Sequence, residues 1–263
     1  MAGGAPSADG SETVEASVLK GVQVPATRAP HAELLEWRRE FPILERTTYL
    51  ISNSLGAMPR GVRDELASFA DAWDQRGVRA WGEGWWESAA ETGDLLAPIL
   101  GVSAGEVSMH QNVTLAVAGF LSALDYPPQR HRIVTTALNF PSLLYLLEGE
   151  RDRGATILSV PSTDGLTIGG KKLLAAIDER TRLVAISHVL FKSGFVQEAA
   201  AVARRCHQVG ALLLLDIYQS AGVMPVGLVK IGWPGGKLTT VENGSDASNR
   251  RNSSPRRRAF VSR

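Results

Sequence analysis

The run Ala211-Leu212-Leu213-Leu214-Leu215-Asp216-Ile217-Tyr218-Gln219-Ser220-Ala221-Gly222 decides the reading of this chain. Five aliphatic residues in a row, with no polar alternation, predict a strand covered on both faces. That is the pattern of a parallel α/β sheet rather than a half-exposed hairpin. Asp216 then stands at the carboxyl end of the strand, the edge at which open α/β sheets bind ligands. A carboxylate there is costly unless something positive meets it. Two readings stand side by side: an Asp that caps the next turn, and an Asp that faces a ligand.

Working outward, the same alternation recurs. Arg132 to Thr136, Gly154 to Val160 and Thr181 to Ile186 carry strand cues, and the segments 142–153, 171–178 and 197–209 between them carry helical ones. Regular alternation of this kind predicts an α/β fold with a mainly parallel, helix-flanked sheet. Its strand ends carry Ser187, His188 and Asp216 to one rim. Upstream, Gln111-Asn112-Val113-Thr114 leads into an apolar helix over 115–124. Polar residues before a helix leave its first N–H groups outward, an anion seat, although Asn and Thr also cap helices generally. Leu34 to Phe41 read as a short amphipathic helix stopped by Pro42, and Thr47 to Ile51 as a β-prone run that turns out at Ser52-Asn53-Ser54-Leu55-Gly56. Val62, Leu66, Phe69, Ala70 and Trp73 share one helical face, which Gly77 ends. The indoles of Trp81, Trp85 and Trp86 follow beside glycines, and core packing is the first expectation for such rings.

Composition bounds the partners. Hydrophobic residues make up 44% of the 263 and charged residues 21%, enough for a sizeable core, and the formal net charge is +1. Cys206 is the single cysteine, so no internal disulfide forms and a reducing, cytoplasmic location is expected. No apolar run reaches membrane-spanning length, and no membrane partner is expected. Residues 1–30 are expected to be a disordered arm, 31–226 the folded domain, and 227–263 a divergent, disordered tail rich in Arg, Ser and Asn. Basic tails can grip nucleic acid, but without a folded basic surface or stacking aromatics no nucleic-acid partner is assigned.

In ordered succession, Tyr49-Leu50 with Asn53-Ser54-Leu55-Gly56, Gly77-Val78-Arg79-Ala80-Trp81, Asn112-Val113-Thr114, Phe140-Pro141-Ser142, Ser187-His188-Val189 and Asp216 to Gly222 resemble one family. They are similar to the fold type I, pyridoxal-phosphate enzymes of the class V aminotransferase group, and within it to kynureninase and its bacterial relatives. The resemblance runs from Leu34 to Val226 and implies an incomplete, PLP-dependent transferase-like large domain with pyridoxal 5'-phosphate as cofactor. Asp216 would lie beneath the pyridine nitrogen and keep it protonated. Phe140 would stack on the ring, and Val113 and Thr114 would hold the phosphate at a helix start. Gln219 would reach the phenolic oxygen, where kynureninases often carry His. His188 would line the cofactor floor, or serve as a hydrogen-bonded structural residue. Asn53, Ser54 and Trp81 would border the substrate pocket, or form a turn and a core ring. Family members act on small-molecule amino acids and pair as homodimers.

The family also uses a lysine bonded covalently to the cofactor aldehyde, about 25 residues beyond the aspartate in a Ser-x-Lys-like turn. Here the segment 227–244 has no strand cue followed by Ser-x-Lys; Lys230 and Lys237 are candidates only by residue type, and Lys192 reads as a solvated surface lysine. No catalytic residue and no metal ligand is therefore named. The change after Val226 reads as an interrupted family sequence, for instance by a shift of reading frame, that also stops short of the family's small domain. The expectation is an amino-acid-transforming enzyme of the kynureninase type, cleaving kynurenine hydrolytically or acting in a related way, and inactive in this chain. The alternatives are a non-catalytic cofactor-binding or dimerising protein, and a truncated product without function.

Overall fold

The structure, a computed structural model, describes residues 32–224 and 259–262. The expected arm 1–30, the tail 227–258 and the candidates Lys230 and Lys237 lie outside the described residues. The chain divides into two compact units, 1–66 and 67–263.

In the first unit, the helical pattern after residue 31 becomes α1 (Ala32–Glu36) followed by two 3-10 turns, Trp37–Glu40 and Pro42–Glu45. Arg60 ties these turns together, donating to the Arg39 carbonyl at 2.6 Å and pairing with Glu45 at 2.5 Å. The β-prone run 47–51 is not a strand, which corrects the expectation. Leu50 and Ile51 are 79% and 55% exposed, and no ladder among the described residues takes up their N–H and C=O groups. β-propensity only makes a strand where a neighbour supplies those bonds.

Helix α2 (Val62–Arg76) carries the apolar face read from the sequence, yet none of its residues is buried. A 3-10 segment, Gly77–Glu83, leads to α3 (Trp85–Leu100), which closes at Gly101 in the left-handed conformation that spares glycine a Cβ clash. Between α2 and α3 the aromatic side chains pack on one another rather than in the core. Phe69 stacks on Trp85 at 4.6 Å, and Trp81 lies 5.5 Å from Trp85 and 4.8 Å from Trp86. Trp73, Trp81 and Trp86 remain 65%, 44% and 70% exposed. The expectation of core rings is therefore corrected.

The remaining elements alternate as predicted: β1 (Val107–His110), α4 (Val113–Ser122), β2 (Arg132–Thr136), α5 (Pro141–Gly149), β3 (Thr156–Val160), α6 (Gly170–Ala175), β4 (Thr181–Ser187), α7 (Ala199–Val209) and β5 (Leu212–Asp216). Four strands form one sheet in the order β3-β2-β4-β5, every pair parallel. From β2 the chain steps outward to β3, then crosses back past β2 to β4 and on to β5. The crossovers thus reverse direction at the β2–β4 junction, where the carboxyl ends of an open sheet leave a crevice. A further strand, β6 (Ala259–Ser262), pairs in parallel with β1 where the sequence reading expects no structure.

Two cores explain the unbroken aliphatic run of β5. Leu212 and Leu214 pack with Val117 and Leu121 of α4 and Leu143 and Leu147 of α5, while Leu213 and Leu215 pack with Leu173 of α6 and Val202, Cys206 and Val209 of α7. Alternate side chains enter opposite faces, and each face finds helices waiting. Arg153 fixes α4 to its neighbours by donating to the carbonyls of Leu121 and Leu124, both at 2.9 Å, and to Glu150 at 2.7 Å. Burial raises the Cys206 thiol to about 12, so it stays protonated and inert at neutral pH. No helix among the described residues is long and apolar enough to cross a membrane.

A third, smaller core seats α3 on β1. Gly93, Ala97 and Leu100 form its buried stripe, and Val107 and Met109 of β1 meet it together with Ile217 and Ala221 from the turn after β5. A Cβ at Gly93 would stand 2.7 Å from the Val107 carbonyl oxygen. Alanine normally gains about 1 kcal/mol over glycine inside a helix. At this position the forced separation of α3 from β1 outweighs that gain, and Gly93→Ala is expected to destabilise the protein by roughly 1–3 kcal/mol, read as a lower urea midpoint.

Candidate functional site

The parallel arrangement puts the carboxyl ends of β2, β4 and β5 on one edge. Register pairs Ser187 with Asp216, and beyond them the His188 N–H donates to the Asp216 carbonyl at 2.7 Å. The turn-capping reading of Asp216 holds. One carboxylate oxygen accepts the Tyr218 N–H at 2.9 Å, capping the turn, and the other accepts the Ser187 hydroxyl at 3.3 Å. Burial pushes this carboxyl above the usual carboxylate range, against the pull of those two donors. Among the described residues no Arg, Lys or His forms an ion pair with it. A half-buried carboxylate held by two neutral donors, with no cation paired to it among the described residues, would favour a positive charge placed beside it.

His188 is buried and its ring Nδ1 lies 3.0 Å from the Ser220 hydroxyl, while burial lowers its pKa and keeps the imidazole neutral. Ser220, fully buried, also donates to the Ile217 carbonyl at 3.3 Å. The turn that carries Gln219 is thereby tied to β4, and Gln219 itself is half-buried within it.

Phe140 follows β2 and is the N-cap of α5. Its backbone is extended ahead of Pro141, as the proline ring requires. The ring is 47% exposed and meets Phe191 edge-on at 5.0 Å, an aromatic surface at the same edge. Lys192 holds its ammonium 5.7 Å over the Phe191 ring and is otherwise solvated, in keeping with the surface reading. At α4, Asn112 is the cap, its side-chain oxygen accepting the Leu115 N–H at 2.9 Å. The N–H groups of Val113 and Thr114 take no partner among the described residues. The Val113 side chain itself packs into the α4–α5 core.

The structure thus brings Ser187, His188, Asp216 and the Gln219 turn together and places Phe140 at the same strand edge, with Val113 and Thr114 on a helix packed on that sheet. Trp81 belongs to the exposed aromatic cluster. Asn53 and Ser54 lie in a turn of the first unit, where the Tyr49 hydroxyl donates to the Leu55 carbonyl at 2.6 Å. Three residues that hold the edge escaped the sequence reading: Asn139, Gln197 and Ser220. Gln197, buried, donates to the Ser187 carbonyl at 2.6 Å through its side chain and to the His188 carbonyl at 2.8 Å through its backbone.

The sequence matches the family model Aminotransferase class-V over residues 48–233. Kynureninase of Pseudomonas fluorescens is 33% identical over 205 residues, which cover 74% of this chain and 48% of the relative. Kynureninase of Burkholderia pseudomallei (strain 1106a) is 30% identical over 203 residues, covering 73% and 47%. The chain spans about half the length of these curated relatives. Among solved structures, a C-DES mutant with glycine covalently linked to its PLP cofactor matches with a TM-score of 0.67 at 23% identity, covering 74% of this chain and 53% of that one. Apo cysteine desulfurase from Thermococcus onnurineus NA1 matches with a TM-score of 0.63 at 20% identity, covering 75% and 50%. These likenesses carry the fold.

An uncompensated carboxylate makes ligand-free stability depend on pH. Because the folded form binds the Asp216 proton more tightly than the unfolded chain, stability falls as pH rises through the raised folded value. Asp216→Asn keeps an oxygen for the Tyr218 N–H and offers an N–H to Ser187. The expected result is a higher thermal midpoint than wild type at pH 7, with the difference closing as pH drops below the ordinary carboxylate range.

Proposed function

We propose a function from one established premise: this chain belongs to the class-V aminotransferase family. The reading is a pyridoxal 5'-phosphate-binding domain of the kynureninase type, built for chemistry on amino-acid substrates. The observation that carries it is the half-buried Asp216 carboxylate, raised by burial and without a cationic partner among the described residues. A protonated pyridine nitrogen is the cation that fits it, and the donor set agrees with the rest of the cofactor. Phe140 offers an exposed aromatic face at the same edge, and the first N–H groups of α4, at Val113 and Thr114, offer an anion seat for the phosphate.

When bound, the cofactor supplies an electron sink for the carbanion of an amino-acid substrate. The chain's own residues divide the remaining work. Asp216 stabilises positive charge at the ring nitrogen, with Ser187 and the Tyr218 N–H fixing both of its oxygens. Phe140 orients the ring and excludes water from one face. Gln219 stands in the turn from which a side chain can reach the phenolic oxygen. His188, neutral and held by Ser220, forms part of the floor and moves no charge.

The stretch 227–244 favours a specific limit on this activity. With no strand cue leading to a Ser-x-Lys turn, the chain would hold the cofactor without a covalent lysine bond and would not turn kynurenine over efficiently. A homodimer is the proposed assembly, supported by the resemblance and by the exposed rings of Trp73, Trp81 and Trp86, since apolar area of this kind marks interaction surfaces. The single cysteine supports a reducing, cytoplasmic location.

Titration with pyridoxal phosphate, followed by absorbance and thermal midpoint, is expected to show saturable uptake with stabilisation. Borohydride treatment should leave no lysine-bound label, and kynurenine should give no anthranilate fluorescence. Asp216→Ala should weaken uptake roughly tenfold or more, the scale of a lost charge-assisted contact. Absence of any spectral change or stabilisation would overturn the cofactor reading, and a labelled lysine within 227–244 would overturn the non-covalent one. In sedimentation, the wild type should run as a dimer, and Trp86→Glu should shift it to monomer.

A further inference from the structure

The β2–β4 junction, where the crossovers reverse, is closed by a single buried amide. Asn139 is 2% exposed, and all four of its side-chain hydrogen-bonding positions are used. Its oxygen accepts the Thr136 hydroxyl at 2.9 Å and the Ser187 N–H at 3.0 Å, and its nitrogen donates to the Thr135 hydroxyl at 2.8 Å and the Ala185 carbonyl at 2.9 Å. The backbone ladder between β2 and β4 ends at Thr135 and Ala185. Asn139 therefore extends the pairing past the point where strand backbone can supply it.

What lies on either side of this amide gives it a consequence. The next residue along the chain is Phe140, whose exposed ring meets Phe191 beyond the end of β4. On the neighbouring strand, Ser187 is held through its N–H by Asn139 and through its carbonyl by Gln197. Held from both ends, Ser187 presents its hydroxyl to the second carboxylate oxygen of Asp216. A short covalent path on one side and one hydrogen-bond relay on the other thus link the aromatic wall to the acidic wall.

We propose that Asn139 is a positioning residue that sets the Phe140 ring and the Asp216 carboxylate relative to each other, so that one buried amide fixes both groups facing the cofactor. The cofactor half of this statement rests on the proposed function; the control of Asp216 through Ser187 does not. The ionisable groups flanking Asp216 are His188, on β4's continuation, and Tyr218, in its own turn. Neither lies on the relay from Asn139 through Ser187.

The test uses the full chain and four variants: Asn139→Ala, the milder Thr135→Val, which removes one acceptor from the amide, Ser187→Ala, and Leu147→Ala. Leu147 is fully buried on α5 and serves as a control for lost stability alone. In the ligand-free protein, carbon NMR of labelled aspartate reads the Asp216 titration. Its midpoint should move upward by about one unit in Asn139→Ala and Ser187→Ala, as a donor to the ionised form is lost. Thr135→Val should shift it by less and in the same direction, and Leu147→Ala should leave it in place. With pyridoxal phosphate added, Asn139→Ala should weaken binding roughly tenfold and reduce the induced circular dichroism of the bound chromophore, while Leu147→Ala keeps the wild-type signal. If Asn139→Ala and Thr135→Val leave the midpoint unmoved, or lose no more affinity than Leu147→Ala, Asn139 only closes the strand ends and the proposal fails. Should Asn139→Ala not fold, an unmoved midpoint in Thr135→Val and Ser187→Ala overturns it equally. If the wild type takes up no pyridoxal phosphate while the variants show the midpoint shifts, the control of Asp216 stands and the cofactor reading falls.

Discussion

A carboxylate delivered to the end of a strand that is walled by helices on both faces has to be compensated, and that requirement organises this molecule. β5 reaches the edge because Leu212 to Leu215 satisfy two cores in alternation. The same burial that stabilises the strand desolvates Asp216 at its tip. Two neutral donors, Ser187 and the Tyr218 N–H, hold the oxygens in place without neutralising the charge. The fold thereby maintains a costly group in a defined direction, an arrangement suited to a ligand that brings its own positive charge.

Much of this was legible in the sequence, and the reason is locality. An unbroken aliphatic run bounded by turn residues encodes a doubly covered strand, and Asp216 follows it directly. Asn112 before an apolar helix encodes a cap, which the bond to the Leu115 N–H bears out. Interactions that span the chain were not legible. Asn139 reaches Ser187 across 48 positions, and His188 meets Ser220 across 32. No periodicity or spacing signals such a pair, because the partners become neighbours only once β2, β4 and β5 stand in order. Burial misled in the other direction: indoles beside glycines read as core, whereas Trp81 and Trp86 stand in an outward cluster that hydrophobicity alone cannot orient. The run 47–51 failed as a strand because propensity cannot supply a neighbour.

The class-V family membership and the edge geometry rest on separate observations. Membership rests on a match over most of the folded region and on kynureninases at about a third identity. The edge rests on hydrogen bonds of this chain alone. Since the chain spans about half of those relatives, the parts of the reaction that depend on the rest of a kynureninase belong to the proposal, while the parallel sheet, its reversal at β2–β4 and the buried amide that closes it are properties of the molecule itself.

The outward aromatic cluster also governs how this protein reports on itself. Four of its six tryptophans, Trp73, Trp81, Trp85 and Trp86, lie in the α2–α3 region, and three of them pack ring to ring within 5.5 Å. Their emission comes from partly hydrated indoles close enough to exchange excitation, and none of the four sits on the strand that carries Asp216. Intrinsic fluorescence will therefore carry a strong contribution from that patch and will register its wetting or covering.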